Sequence, residues 1–389
     1  MSSRSSTFRL VAKCVEVYIL VFRLYSFACP LLEARKVQRV GYSTLTVSLP
    51  RGWVEDVKLK PGDIVSIKRE DDGSLKLIPG TEHKREEVKN CIVHADLCNS
   101  PNLLTRVITA NYILGHDTIQ IAAKEELKKH HLEEIRGTTQ RLTGLSIVEQ
   151  TLRQVTLQSF VDPTRFPIYG LMRRLHIILS SMLDMSIRAL VERRPELASE
   201  VMHMEEESDR IYWLIVRQLL LAIRDRSVCT RIGMESPLHI LGNRVVSKTL
   251  EEMADSAENI ANEVIALKDK EISRTALNDI ARFANEVARI SEQSMKALLT
   301  SDIHLSNDAV ERVQNAENEE RNLTQKMLTH VEDVTSAVSL RTIILNLGQI
   351  SKYCRMIGEI TINRIMEKPS EICKYIPVQE ARPSYTKYS

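Results

Sequence analysis

The sequence predicts a multidomain protein with a small β unit, a small α/β unit and an all-α half built from tandem three-helix bundles. Three observations carry this. Residues 165–368 place apolar residues at helical spacing through three segments, and then the pattern starts again. Residues 34–80 alternate apolar and polar positions between turn formers, which is the period of strands. Residues 86–162 switch repeatedly between the two periods, as a mixed layer requires. Composition agrees: 43% hydrophobic and 27% charged residues over 389 positions are globular rather than disordered proportions. Aromatics at 5%, with 13 Gly and 12 Pro, suit long helices better than a β-sandwich.

A net charge of +2 excludes a polycation, so any affinity for nucleic acid must come from a local patch. The seven cysteines are scattered, and Cys91 and Cys98 are too far apart for a CxxC knuckle. They read as reduced thiols of a cytoplasmic protein without a zinc ribbon. Residues 1–33 form an N-terminal extension whose apolar run at 15–32 is broken by Glu16 and Arg23. It is read first as an upstream extension outside the natural product, ahead of a helical membrane anchor or a secretory signal.

The elements follow in order. Ala34–Val40 and Ser43–Pro50 are strands joined at Gly41, the second rich in β-branched residues and stopped by Pro50. Arg51–Val57 makes about two helical turns, and Pro61-Gly62 is a turn. Asp63–Glu70 and Ser74–Pro79 pair as a hairpin closed by Asp71-Asp72-Gly73. In the middle unit, 87–96 and 117–123 read as strands, 103–115 and 125–144 as helices, and 145–161 as strand-rich; a small α/β or ferredoxin-like sandwich is expected. His94, His116, His130 and His131 read as ordinary surface or core histidines. No phosphate loop and no GxSxG nucleophile elbow occur in this unit. Asp162-Pro163 marks the next boundary. The helical half then divides into bundles at 165–268 and 271–368, with a flexible tail at 369–389.

Within that half, Glu205 and Asp209 are four residues apart on one predicted helix, and Glu251 and Asp255 repeat the spacing on a later one. Residues at i and i+4 share a helix face, so two packed helices would bring these carboxylates together. Such a face is either a site for a hard or borderline metal or a solvated acidic stripe. Oxygen ligands alone suit magnesium, manganese or iron better than zinc. The pattern returns in altered form as Asn315 with Glu319 and Arg355 with Glu359.

Two resemblances carry expectations further. The run from Val40 to Pro79, through SLP, the short helix and LKPGD, resembles the AbrB/SpoVT swapped-hairpin domain. That resemblance implies a homodimer of intertwined chains that binds DNA through Arg35, Lys36, Arg39 and Arg51. The stretch 34–60 also carries six basic residues (35, 36, 39, 51, 58, 60) against two acids (55, 56), and basic side chains on a rigid dimer release counterions from phosphates whatever the sequence. The duplicated helices, through EVMHMEEESDRIYWLI and TLEEMADSAENIANEVI, resemble the phosphate-uptake regulator (PhoU) family. This implies multinuclear iron or zinc on the acidic faces. Here it falls on Glu205, Asp209, Glu251 and Asp255 of the first bundle, whereas Arg355 brings positive charge to the second. It also implies partners in a phosphate transporter or sensor kinase at the membrane, and a regulatory role without catalysis or a small-molecule substrate. Joined in this order, an arrangement associated with archaeal proteins, the two imply a DNA-binding transcriptional regulator of phosphate uptake. The alternative is an adapter that represses a transporter or its kinase by protein contacts.

Overall fold

The computed structural model describes residues 34–69, 73–80 and 90–374. The extension at 1–33, the tip of the second hairpin at Asp71-Asp72 and the tail beyond Lys374 lie outside the described residues. The chain divides into two compact units, residues 1–87 and 88–389.

The described residues of the first unit contain two separate hairpins and one short helix. β1 (Gln38–Val40) pairs antiparallel with β2 (Thr44–Thr46) around Gly41, whose φ of +69° is the left-handed conformation such a turn requires. Pro50 then opens α1 (Arg51–Asp56). β3 (Val65–Arg69) pairs antiparallel with β4 (Leu75–Pro79). The two hairpins form separate two-stranded sheets. Neither buries its apolar side chains: Val40, Leu45, Ile67 and Leu75 are each more than half exposed. An isolated two-stranded hairpin is marginal in water, and the described residues of this unit form no core of their own.

The second unit opens with a mixed sheet in the order β5 (Asn90–His94), β6 (Thr118–Ala122), β8 (Gln154–Ser159), β7 (Leu145–Gln150). β5 and β6 are parallel and joined through α2 (Leu103–Ile113); α3 (Lys129–Arg141) connects β6 to β7. The connectivity is βαβαββ, not the βαββαβ of a ferredoxin-like sandwich. The reason is local: Thr151–Arg153 folds β7 straight back onto β8, with Gln154 hydrogen-bonded to Thr151 at 3.0 Å, so a hairpin stands where that fold needs a second crossover helix. Ile119, Ile121, Val155 and Leu157 point inward against Leu104, Ile108 and Ile135 of the helices to form the core.

The helical half is two successive trios. The first comprises α4 (Ile168–Glu192), α5 (Pro195–Arg224) and α7 (His239–Ala266), with short α6 (Arg226–Arg231) between the last two. The second comprises α8 (Arg274–Thr300), α9 (Ile303–His330) and α10 (Val334–Ile365). The same corner recurs in both. α4 ends on Arg193 (φ 58°) and α8 on Ser301 (φ 53°), both left-handed, and each cap N–H returns to the carbonyl four residues back. In the second trio Ser273, Asp302 and Asp333 each accept a hydrogen bond from a first-turn N–H, worth about 1 kcal/mol apiece.

The trios lie side by side, α7 against α10 and α4 against α8. One continuous core runs through both, from Leu175 and Met182 of α4 to Ile343 and Ile350 of α10. Seams between helices are closed by small polar residues that back-bond: Ser186 to the Ala257 carbonyl at 3.1 Å, and Ser306 to that of Gly358 at 2.9 Å. No helix among the described residues is long and apolar enough to cross a membrane.

Candidate functional site

Arg35, Lys36, Arg39 and Arg51 of the first unit are all solvent-exposed. Arg39 and Arg51 are engaged as follows. Arg39 donates from Nε to the Tyr42 carbonyl at 3.1 Å, and Arg51 donates to Glu55 Oε1 at 2.9 Å across one helical turn. An exposed pair of the second kind is worth well under about 1 kcal/mol, so it yields readily to a phosphate.

The acidic residues come together as their spacing predicts. Glu205 and Asp209 of α5 face Glu251 and Asp255 of α7. Glu205 is half-buried, and its carboxyl is pushed up to about 7, first by loss of water and then by Asp209, Glu258, Asp255 and Glu251. Glu251 is buried and likewise raised to about 7, chiefly by desolvation. Asp209 and Asp255 are raised for the same leading reason. Two residues belong to this face that spacing alone did not single out. Glu258 stands one turn beyond Asp255, is raised by burial and then by Asp255 and Asp209, and was legible as an i+3 neighbour. Lys248 ion-pairs with Glu251, and with Glu252 at 2.8 Å, so one cation sits at the edge of the cluster.

The second trio holds the same face differently. Val246, Leu250, Met253, Ala257, Ile260 and Val264 of α7 recur in burial as Ile343, Leu347, Ile350, Cys354, Ile357 and Thr361 of α10. In that phase Glu251, Asp255 and Glu258 correspond to Gly348, Lys352 and Arg355. On α9 the counterparts of Glu205 and Asp209 are Val313 and Glu317. The expected correspondence through Asn315, Glu319 and Glu359 is therefore out of phase; Asn315 and Glu359 point to solvent. What replaces the cluster is neutral in sum. Glu317 pairs with Arg355 and Glu320 with Lys352, each at 3.0 Å between α9 and α10. Gly348 is part of the exchange: a Cβ there would collide with the Glu320 side chain that covers it.

Carboxylates held without water, each raising its neighbours, form a donor set suited in chemistry to a hard cation. Geometrically they are not gathered for one: among the described residues no group of three His, Cys, Asp or Glu side chains is placed to hold a metal ion.

The α/β layer docks beside this face. Arg217 of α5, 2% exposed, donates to the Tyr112 carbonyl, to that of His116 at 3.2 Å and to Asp117 at 3.1 Å, and stacks over the Tyr112 ring at 4.8 Å. Arg224 reaches the Leu114 carbonyl at 2.7 Å, and Thr143 donates to the Arg210 carbonyl at 3.1 Å. Arg141, in the same corner of the layer, lowers the Asp209 carboxyl against the effect of burial.

Residues 172–264 match the PhoU domain family, and residues 38–85 match the family described as antidote-toxin recognition MazE, bacterial antitoxin. Among solved structures, PhoU from Pseudomonas aeruginosa is similar at 16% identity and a TM-score of 0.48, over 52% of this chain and 96% of that one. The phosphate transport system regulatory protein PhoU from Streptococcus pneumoniae is similar at 14% identity and a TM-score of 0.46, over 52% and 94%. No functionally curated protein matches the sequence. The chain thus carries a PhoU domain in its C-terminal half and a MazE/AbrB-like antitoxin domain near its N-terminus.

Proposed function

We propose that this protein is a dimeric DNA-binding regulator of phosphate uptake, in which the helical half reads phosphate status and the N-terminal unit carries the response to DNA. The observation that bears most weight is the state of the first unit. Its two hairpins leave Val40, Leu45, Ile67 and Leu75 open to solvent, and a second copy of the same hairpins would supply a matching apolar surface. Interleaving two copies would also bring two sets of Arg35, Lys36, Arg39 and Arg51 onto one rigid scaffold. Basic side chains at fixed separation on a dimer address two half-sites on a duplex. Gel-shift titration of the intact protein against promoters of phosphate-transport genes tests this. Binding that weakens steeply with salt, and is lost on charge reversal of Arg35 and Arg39, is the expected result; a dimer that ignores DNA at low salt would sink the reading.

A second reading is favoured by the engagement of Arg39 with the Tyr42 carbonyl. In it the N-terminal unit serves to dimerise, and the helical half represses a phosphate transporter or its sensor kinase by contact. The charge-reversed variant separates the two, because the adapter keeps its regulatory effect.

We further assign a hard divalent cation, magnesium, manganese or iron ahead of zinc, to the face formed by Glu205, Asp209, Glu251 and Asp255. The support is electrostatic, not geometric: burial first and repulsion second raise these carboxyls, a cation would offset both, and the side chains would have to close in and Lys248 release Glu251 to admit it. Elemental analysis of the purified protein should find metal that is lost in the Glu205→Gln/Asp209→Asn variant. Equal metal content in the two would refute the assignment.

A further inference from the structure

A cleft of about 440 Å³ opens where the ends of the two trios meet. Its walls come from the start of α4, the loop before α7 and the ends of α8 and α10. That volume falls within the roughly 300–1,000 Å³ of small-molecule sites. Leu298, Leu299, Ile365 and the Tyr169 ring supply an apolar wall, and Arg364, His239 and Lys368 supply polar groups.

The charges in the cleft are not equally committed. Lys368 is paired with Glu235 at 2.8 Å, and both side chains are largely exposed. His239 meets Glu367 at 3.0 Å through Nε2, while its buried Nδ1 has no partner among the described residues. Arg364 differs from both. It donates from Nη2 to Oδ1 of Asn243 at 2.6 Å and from Nη1 to the Tyr169 hydroxyl at 3.1 Å, and both acceptors are neutral. Asn243 is fully buried, so the guanidinium is held in one orientation. Among the described residues Arg364 makes no ion pair with a carboxylate. Two acceptors leave several of its N–H donors available.

We propose that this cleft binds a small organic acid with a single carboxylate, seated on Arg364, and an apolar body lying against Leu298, Leu299 and Ile365. A planar guanidinium with spare donors matches a carboxylate fork. The lining sets Arg364 and Lys368 against Glu235 and Glu367, so it has room for a single negative charge, on the guanidinium that makes no ion pair. Glu235 and Glu367 at the same cleft oppose a doubly charged ion, and the volume exceeds what a bare oxyanion fills. The site is separate from the acidic face. Asn243 and Glu251 lie on the same helix about 12 Å apart along its axis. The proposal stands independently of the DNA-binding reading.

Titration calorimetry on the full chain tests it with benzoate and hexanoate, their uncharged amides benzamide and hexanamide, and orthophosphate. Saturable binding of at least one carboxylate is expected, with its amide about tenfold weaker or more. Arg364→Gln should weaken the carboxylate by a similar factor. Because that change also removes the bond to Asn243, Leu299→Glu serves as a second variant; Leu299 is 39% exposed, so the substitution is tolerated, and its charge should abolish binding without changing the melting temperature. Three results would each overturn the proposal: no saturable binding of either acid, equal binding of acid and amide, or orthophosphate binding at Arg364 more tightly than the acids.

Discussion

Arg217 shows how much one side chain can organise. It is buried, its charge is met by Asp117 through Nη2, and Nη1 donates to the Tyr112 and His116 carbonyls, while its buried Nε has no partner among the described residues. Burial lowers its pKa while Tyr112 and Asp117 oppose that shift. Removing one partner of a buried charged network costs several kcal/mol, because the group left behind is unpaired. Asp117 is half-exposed and water will recover part of the loss, so Arg217→Ala should cost about 2–3 kcal/mol in chemical denaturation. The loss should appear first as looser docking of the α/β layer, seen as faster hydrogen exchange in α2. An unchanged denaturation midpoint would mean that the layer is held by Trp213 and its apolar neighbours instead. Nothing in the sequence marked Arg217. It sits amid apolar residues of an amphipathic helix, and its partners lie about a hundred positions away.

At the scale of elements, the two halves of the duplication have taken opposite solutions to one seam. The first trio keeps carboxylates that repel one another, and the second exchanges ion pairs across it. The sign of the resulting pH dependence follows. Glu205 binds its proton more tightly in the folded chain, at about 7, than in the unfolded chain at 4.5. Its contribution is therefore intact below pH 4.5 and is lost as pH rises through 7. In the presence of a chelator, Glu205→Gln should melt about 2 °C above the unmodified chain at pH 8, on the order of 1 kcal/mol after solvent screening, and show no gain at pH 5. A gain of the same size at both pH values would point to packing rather than charge. The helices and the carboxylate convergence were legible because period and i+4 spacing are local. The phase of the second trio was not. Charge spacing alone aligned Asn315 with an acidic position, whereas the apolar run of Ala309, Val313, Ala316 and Leu323 sets which residues face inward. The α/β character of the middle layer was legible, and its connectivity was not, for a related reason: a strand-rich stretch does not reveal whether it turns back on itself.

For the whole molecule, the balance of stability is uneven. The first unit exposes apolar side chains that would stabilise it if covered, so in the proposed dimer its order would depend on protein concentration. The second unit is self-sufficient. Its helical half has one unbroken apolar interior, and polar seams such as His176 with Ser291 at 3.0 Å and Tyr353 with Glu252 at 3.2 Å tie one trio to the other. The trios are thus not two beads on a string. A protease cut introduced at the Asp269–Ile272 connection should leave both fragments together on a sizing column, and calorimetry should still record one helical melting event. Two separate transitions would show that the shared interior contributes little. Because that interior is shared, repulsion among Glu205, Asp209, Glu251 and Asp255 loads a body that the ion-paired second trio also braces, and strain on one seam is carried by six helices rather than three.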